Sequence, residues 1–107
     1  MTDEVTVTFE LTLKPEAAEG FSRMDREALE ATRSFPGFLE VRIVRHKDAP
    51  CRFLFIERWV SEEAYRKYIA FRTERGEFQP LLAMATNTEI NIWPQTIAWA
   101  LKDVEHP

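Results

Sequence analysis

From Val5 to Leu13 the chain alternates without a break: Val5, Val7, Phe9, Leu11 and Leu13 fall on one side, Thr6, Thr8, Glu10 and Thr12 on the other. A side-chain period of two is that of a β-strand, and Val, Thr and Phe suit a pleated, half-buried surface. A strand with one oily face needs a cover, and the next segment supplies it. Pro15 fits the first helical turn, where its missing N–H costs nothing. Ala17, Phe21, Met24, Ala28 and Ala31 then recur at spacings of three and four, with Leu29 and Thr32 widening the stripe. This pattern predicts an amphipathic helix running to about Arg33 and stopped by Pro36-Gly37.

A second strand is expected from Phe38 to about Lys47, with Leu39, Val41 and Ile43 on one side and Glu40, Arg42, Val44 and His46 on the other. Asp48-Ala49-Pro50 reads as a short turn, and short turns join antiparallel neighbours. The third strand, Cys51 to Trp59, places Cys51, Phe53, Phe55, Glu57 and Trp59 opposite Arg52, Leu54, Ile56 and Arg58. Both of its sides are apolar in the middle, as in a central strand covered on both faces. Ser61 is a good N-cap for a second helix carrying Tyr65, Tyr68, Ile69 and Phe71, with Glu62 and Glu63 at its positive end. Gly76 breaks that helix, and Pro80 restarts a short piece with Leu81, Leu82 and Met84. Glu89 to Trp93 reads as a short last strand. Gln95 to Leu101 fits either a short helix or an edge extension.

Strand–helix–strand–strand–helix–strand is the order of a ferredoxin-like α+β fold: a four-stranded antiparallel sheet, strands one and three central, both helices on one face. The 107 residues make one domain, with a core over about 5–93 and a C-terminal extension over 94–107. The uncovered sheet face keeps either Leu54 and Ile56 or Phe53 and Phe55. An apolar face of that kind predicts sheet-to-sheet packing in a homodimer.

Charge and composition remove several function classes. A formal charge of −4 with the two signs interleaved offers no basic stripe, so nucleic acid and anionic membranes are not expected partners. No apolar stretch approaches the roughly 20 residues of a membrane span. One cysteine, Cys51, gives no intrachain disulfide and reads as a small core residue. With an acidic start lacking a signal-peptide pattern, the expected location is cytoplasmic. Phosphate loop, zinc spacing, serine elbow and dinucleotide fingerprint are all missing from the sequence.

Phe35-Pro36-Gly37-Phe38, Phe55-Ile56-Glu57-Arg58-Trp59, Ser61-Glu62-Glu63-Ala64-Tyr65 and Phe78-Gln79-Pro80-Leu81-Leu82 stand in order along the chain. Together they resemble the antibiotic biosynthesis monooxygenase family, from about Val5 to Trp93. The resemblance implies a dimeric α/β barrel with a pocket between sheet and helices in each subunit. It also implies oxidation of a small aromatic or quinol-like molecule by molecular oxygen, without flavin, haem or metal. A deprotonated phenol or anthrone can pass an electron to oxygen itself, so the protein has only to hold it, take its proton, stabilise the anion and exclude water.

Candidate residues each carry two readings. Glu57 and Trp59, two apart on one side of a strand, are either a proton-accepting carboxylate with a substrate-binding wall, or core packing with a structural ion pair. Tyr65, Tyr68 and Arg72 share one helix face. They either bind and stabilise a phenolate, Tyr68 and Arg72 as catalytic groups and Tyr65 beside Phe55 as substrate wall, or pack with their polar ends at the rim. Tyr68 stands where many relatives carry a helix histidine, and that departure argues against haem. His46 reads as a solvent-facing strand residue, His106 as part of the tail, and Asn91 as a weak candidate for a substrate carbonyl. Two functions stay open: a cofactor-independent monooxygenase, and a non-catalytic or stress-associated ligand-binding barrel.

Overall fold

A computed structural model describes residues 3–23 and 29–102. Its elements are β1 (Val5–Leu13), α1 (Pro15–Phe21), α2 (Glu30–Arg33), β2 (Phe38–Arg45), β3 (Arg52–Trp59), α3 (Glu62–Glu74), α4 (Phe78–Ala83) and β4 (Ala85–Trp93). The strands form one antiparallel sheet in the order β2-β3-β1-β4, so β1 and β3 are central, as the ferredoxin-like reading requires.

Register decides which side of each strand meets the helices. Val7 lies opposite Glu57, and Glu57 opposite Val41; Phe9 lies opposite Phe55, and Phe55 opposite Ile43. These residues share the covered face, where Val7, Leu11 and Trp59 are fully buried. Each buried aliphatic side chain of this kind is worth about 1.5–3 kcal/mol. Leu54 and Ile56 lie on the open face.

That face is less oily than expected. β1 contributes Thr6, Thr8, Glu10 and Thr12 to it, and the register adds Asn87, Glu89 and Asn91 from β4. Arg58 reaches both Glu4, at 2.7 Å, and Glu40, at 3.0 Å, while Arg52 pairs with Glu10. Only Leu54, Ile56 and Val44 form an apolar stripe down the middle, with Trp93 at one end donating its indole N–H to Thr8. The apolar residues of β3 on this side have polar neighbours on β1, which a reading of β3 alone does not see.

Three element boundaries differ from the sequence reading. The first helix ends at Phe21: the Ser22 N–H bonds to Ala18 O and the Ser22 hydroxyl donates to Glu19 O at 2.7 Å. A serine that bonds back to the preceding turn, next to Gly20, favours an end over a continuation. Helix resumes at Glu30; Met24 and Ala28 lie outside the described residues. β4 starts at Ala85 rather than Glu89, hidden because Thr86, Asn87 and Thr88 are exposed and carry no apolar alternation. Residues 94–102 form neither helix nor strand, and Ile97, Trp99 and Leu101 are largely exposed. No helix among the described residues is long and apolar enough to cross a membrane.

Gly37 has a φ of 93°, a left-handed value that suits glycine. A Cβ there would stand 2.6 Å from the Ala64 Cβ, so the entry to β2 lies directly against α3.

Candidate functional site

α3 is built to present one face downwards. Ser61 caps it by accepting the Ala64 N–H at 3.1 Å, and acidic residues fill its first turn. Its C-terminus closes on Gly76, with a φ of 69°: the Gly76 N–H reaches Thr73 O and the Glu77 N–H reaches Arg72 O at 3.1 Å. This is a Schellman closure, which folds the chain back under the last helical turn. Between α3 and the sheet lies a cavity of about 530 Å³, within the roughly 300–1,000 Å³ usual for small-molecule sites.

Phe9 and Phe55 form its floor, Glu57 opens into it from β3, and Tyr65, Tyr68 and Arg72 descend from α3. A wider depression of about 650 Å³ between α1 and α4 is far more open and contains none of these groups. Five of the six residues singled out by sequence therefore border one enclosed space. The sixth, Trp59, does not line it.

Trp59 stands behind the cavity, fully buried, at the hub of an aromatic cluster with Phe38 at 5.5 Å, Tyr65 at 5.8 Å and Tyr68 at 4.9 Å between ring centres. Its indole N–H donates to Glu57 Oε1 at 2.9 Å. The i, i+2 spacing makes this possible, since both side chains leave the same side of β3. Glu57 is 5% exposed and lies between two valines in register, Val7 and Val41. Burial pushes its carboxyl above the ordinary value of 4.5, and the Trp59 bond offsets only part of that. Among the described residues no cation lies within ion-pair distance of Glu57, so the structural ion pair considered from sequence is not formed.

The Tyr68 hydroxyl lies 2.7 Å from Thr32 Oγ1, both buried. Burial raises the Tyr68 and Tyr65 phenols above their ordinary range; for Tyr65 the Glu57 carboxylate adds to the effect. Arg72 has its guanidinium carbon 5.6 Å from the Tyr68 ring centre and 5.9 Å from that of Phe78. Its Nε stands 2.9 Å from Glu77 Oε1, an ion pair too poorly aligned to count as a hydrogen bond. Thr32, Glu77 and Phe78 were not foreseen as site residues. Thr32 looked like stripe filler; Glu77 could have been found by treating Gly76 as a Schellman glycine.

The remaining sequence candidates lie elsewhere. Asn91 is exposed and donates to Glu89 at 2.9 Å on the open face. His46 is exposed and accepts the Asp48 N–H at 3.0 Å; His106 is outside the described residues. Cys51 is half-buried against the cluster of Leu11, Leu13, Ala18 and Phe53. Among the described residues no three His, Cys, Asp or Glu side chains converge to hold a metal ion.

The family model described as antibiotic biosynthesis monooxygenase matches residues 4–70, more than half of the chain. The chain belongs to that family. The match takes in Glu57, Trp59, Tyr65 and Tyr68 but stops short of Arg72 and Glu77. Among solved structures, the chain is similar to SnoaB, a cofactor-independent oxygenase from Streptomyces nogalater, at 26% identity and a TM-score of 0.70, covering 94% of this chain and 99% of that one. A protein from Shewanella oneidensis (18% identity, TM-score 0.76, 92% and 96% covered) and one from Methanosarcina mazei (21%, 0.76, 89% and 95%) share the fold. No curated protein matches the chain.

Proposed function

We propose that this family member is a cofactor-independent monooxygenase acting on a small electron-rich aromatic, a phenol, quinol or anthrone. The observation that carries the reading is Glu57: a buried carboxylate with no cation beside it among the described residues, opening into a ring-lined cavity. A carboxyl whose burial lifts its pKa is a better proton acceptor than an exposed one. Its Oε1 is held by Trp59, and Oε2 makes no hydrogen bond among the described residues.

In the reaction, Glu57 takes a proton from an anthrone-type CH2. The carbanion passes one electron to O2, and the radical pair joins as a C–O bond. Glu57 returns its proton to the terminal peroxide oxygen. Loss of water, taking the second C–H proton with the outgoing hydroxide, leaves a C=O. The sum is CH2 plus O2 giving C=O plus H2O, with no external reductant. Phe55 and Tyr65 flank the ring, while the Tyr68 hydroxyl and the Arg72 guanidinium steady the negative charge as it spreads over the ring away from the CH2.

We further propose a homodimer joined through the open sheet faces; the Leu54–Ile56–Val44 stripe and the pairing of Arg52 and Arg58 within the chain both support it. Sedimentation at micromolar concentration tests this, and a stable single subunit counts against it.

The reaction is tested with purified, metal-stripped protein, air and an anthrone or reduced naphthoquinone in an oxygen electrode. Uptake above the buffer rate is expected, falling about 100-fold or more in Glu57→Gln. Ligand binding without any uptake across the panel would leave a binding protein in place of an enzyme.

A further inference from the structure

The cavity lining carries opposite charges on different elements, Glu57 on β3 and Arg72 in the last turn of α3, and Arg72 has an unused binding edge. Glu77 stands between two guanidiniums, 2.9 Å from Arg72 Nε and 3.2 Å from Arg75, so two positive charges share one negative charge. Arg72 Nε faces Glu77 as an ion pair without a hydrogen bond. The terminal nitrogens of Arg72 make no hydrogen bond among the described residues and are not among the buried polar atoms lacking one. They belong to a side chain that lines the cavity and lies flanked by the rings of Tyr68 and Phe78. The Schellman turn at Gly76 fixes the geometry, holding Glu77 to the Arg72 backbone carbonyl as well as to its guanidinium.

A guanidinium whose Nε side is turned to a carboxylate, whose carbon lies beside two rings and whose terminal edge is open suits end-on, two-point contact with a carboxylate. Bringing in one such group would also balance the surplus charge of the Arg72–Glu77–Arg75 cluster. From β3, Glu57 accepts a proton or hydrogen bond and repels an anion. We infer that the cavity selects an aromatic acid: a ring whose carboxylate is held by Arg72, away from the hydroxyl or CH2 that meets Glu57. The inference rests on this cavity being the ligand site, as in the reading above, and adds the substrate's charge. It does not depend on oxygen chemistry.

The test is anaerobic binding to the full chain, by calorimetry, of a hydroxynaphthoate, its methyl ester and naphthol. The acid should bind at least about tenfold more tightly than the ester, the usual scale for a hydrogen-bonded charge. That preference should shrink with added salt, vanish in Arg72→Met and survive in part in Arg72→Lys. Glu57→Gln, which removes a repelling carboxylate but not the Arg72 edge, should keep the preference for the acid or raise it. Circular dichroism establishes that each variant is folded, and Arg72→Lys provides the reading if Arg72→Met is not. Equal binding of acid and ester overturns the inference. So does a preference that persists in Arg72→Met, and so does failure of the acid to bind at millimolar concentration. Because no turnover is measured, an inactive but acid-selective protein would sink the oxygenase reading and leave this one standing.

Discussion

The covered face of the sheet holds two core clusters, and they are made differently. At one end Leu11, Leu13, Ala18 and Phe53 pack with no buried polar side chain among them. At the other Val5 and Val7 pack with Trp59, Tyr65 and Tyr68, each ring carrying a polar atom, next to Glu57 and Thr32. Both ends hang on the same strand, β1. The plain end can be filled by any well-fitting apolar groups, whereas every polar atom at the aromatic end needs a partner. The contrast teaches that a small domain can confine its polar demands to one end of a core while the other end supplies uncomplicated burial.

The sharpest way to break this comparison is Leu11→Ala. Opening a cavity at a fully buried position costs about 2–5 kcal/mol, read from urea unfolding. Affinity for an aromatic ligand, measured on the folded fraction, should fall far less than stability does, although the floor residues Phe9 and Phe55 pack against this cluster. A large loss of affinity would mean that the two ends are not separable.

Trp59→Phe strikes the other end. It removes the hydrogen bond to Glu57, and leaving that carboxylate unsatisfied costs about 1–3 kcal/mol at pH 8. The loss should be smaller near pH 4, where the carboxyl is protonated. A cost independent of pH would make Trp59 merely filler.

Glu57→Gln should act in the opposite direction and more weakly. The folded-state pKa of Glu57 lies above its ordinary 4.5, so the folded protein holds this proton more tightly than the unfolded chain does. That contribution is fully present below 4.5 and is lost as pH rises through the folded value. The glutamine variant lacks this dependence, so it should become the more stable of the two at pH 8, with the gap closing toward pH 4. A variant less stable than the parent at every pH would contradict the stated environment of Glu57.

The smallest effect is the pair Tyr68 and Thr32. A double-mutant cycle with Tyr68→Phe and Thr32→Val should show a coupling of about 0.5–1.5 kcal/mol. Coupling indistinguishable from zero would mean that the 2.7 Å contact carries no stability.

Much of the architecture could be read directly from periodicity. The alternation of β1 and β3 and the capped, charge-biased start of α3 are local signals, and the fold follows their order. Boundaries escaped where local competition decided them, as at Ser22, or where a strand is wet on both sides, as at Ala85–Glu89. The candidate site was legible in part for the same reason. Glu57, Tyr65, Tyr68 and Arg72 announce their shared faces through spacing. Trp59 shares a face with Glu57 too, but whether it walls a space or backs its neighbour depends on what α3 lays over it. Thr32 becomes a partner of Tyr68 only when two segments 36 positions apart meet, and nothing in its own neighbourhood signals that.

Gly37 sets the headroom of the hollow. Because no side chain stands between the start of β2 and Ala64, the helix rests on bare backbone there, like a beam on a lowered sill. Adding even one methyl group at that point would jack the beam upward nearest the tryptophan. The ceiling above Glu57 would tilt, and the width of guest that the chamber admits would change with it.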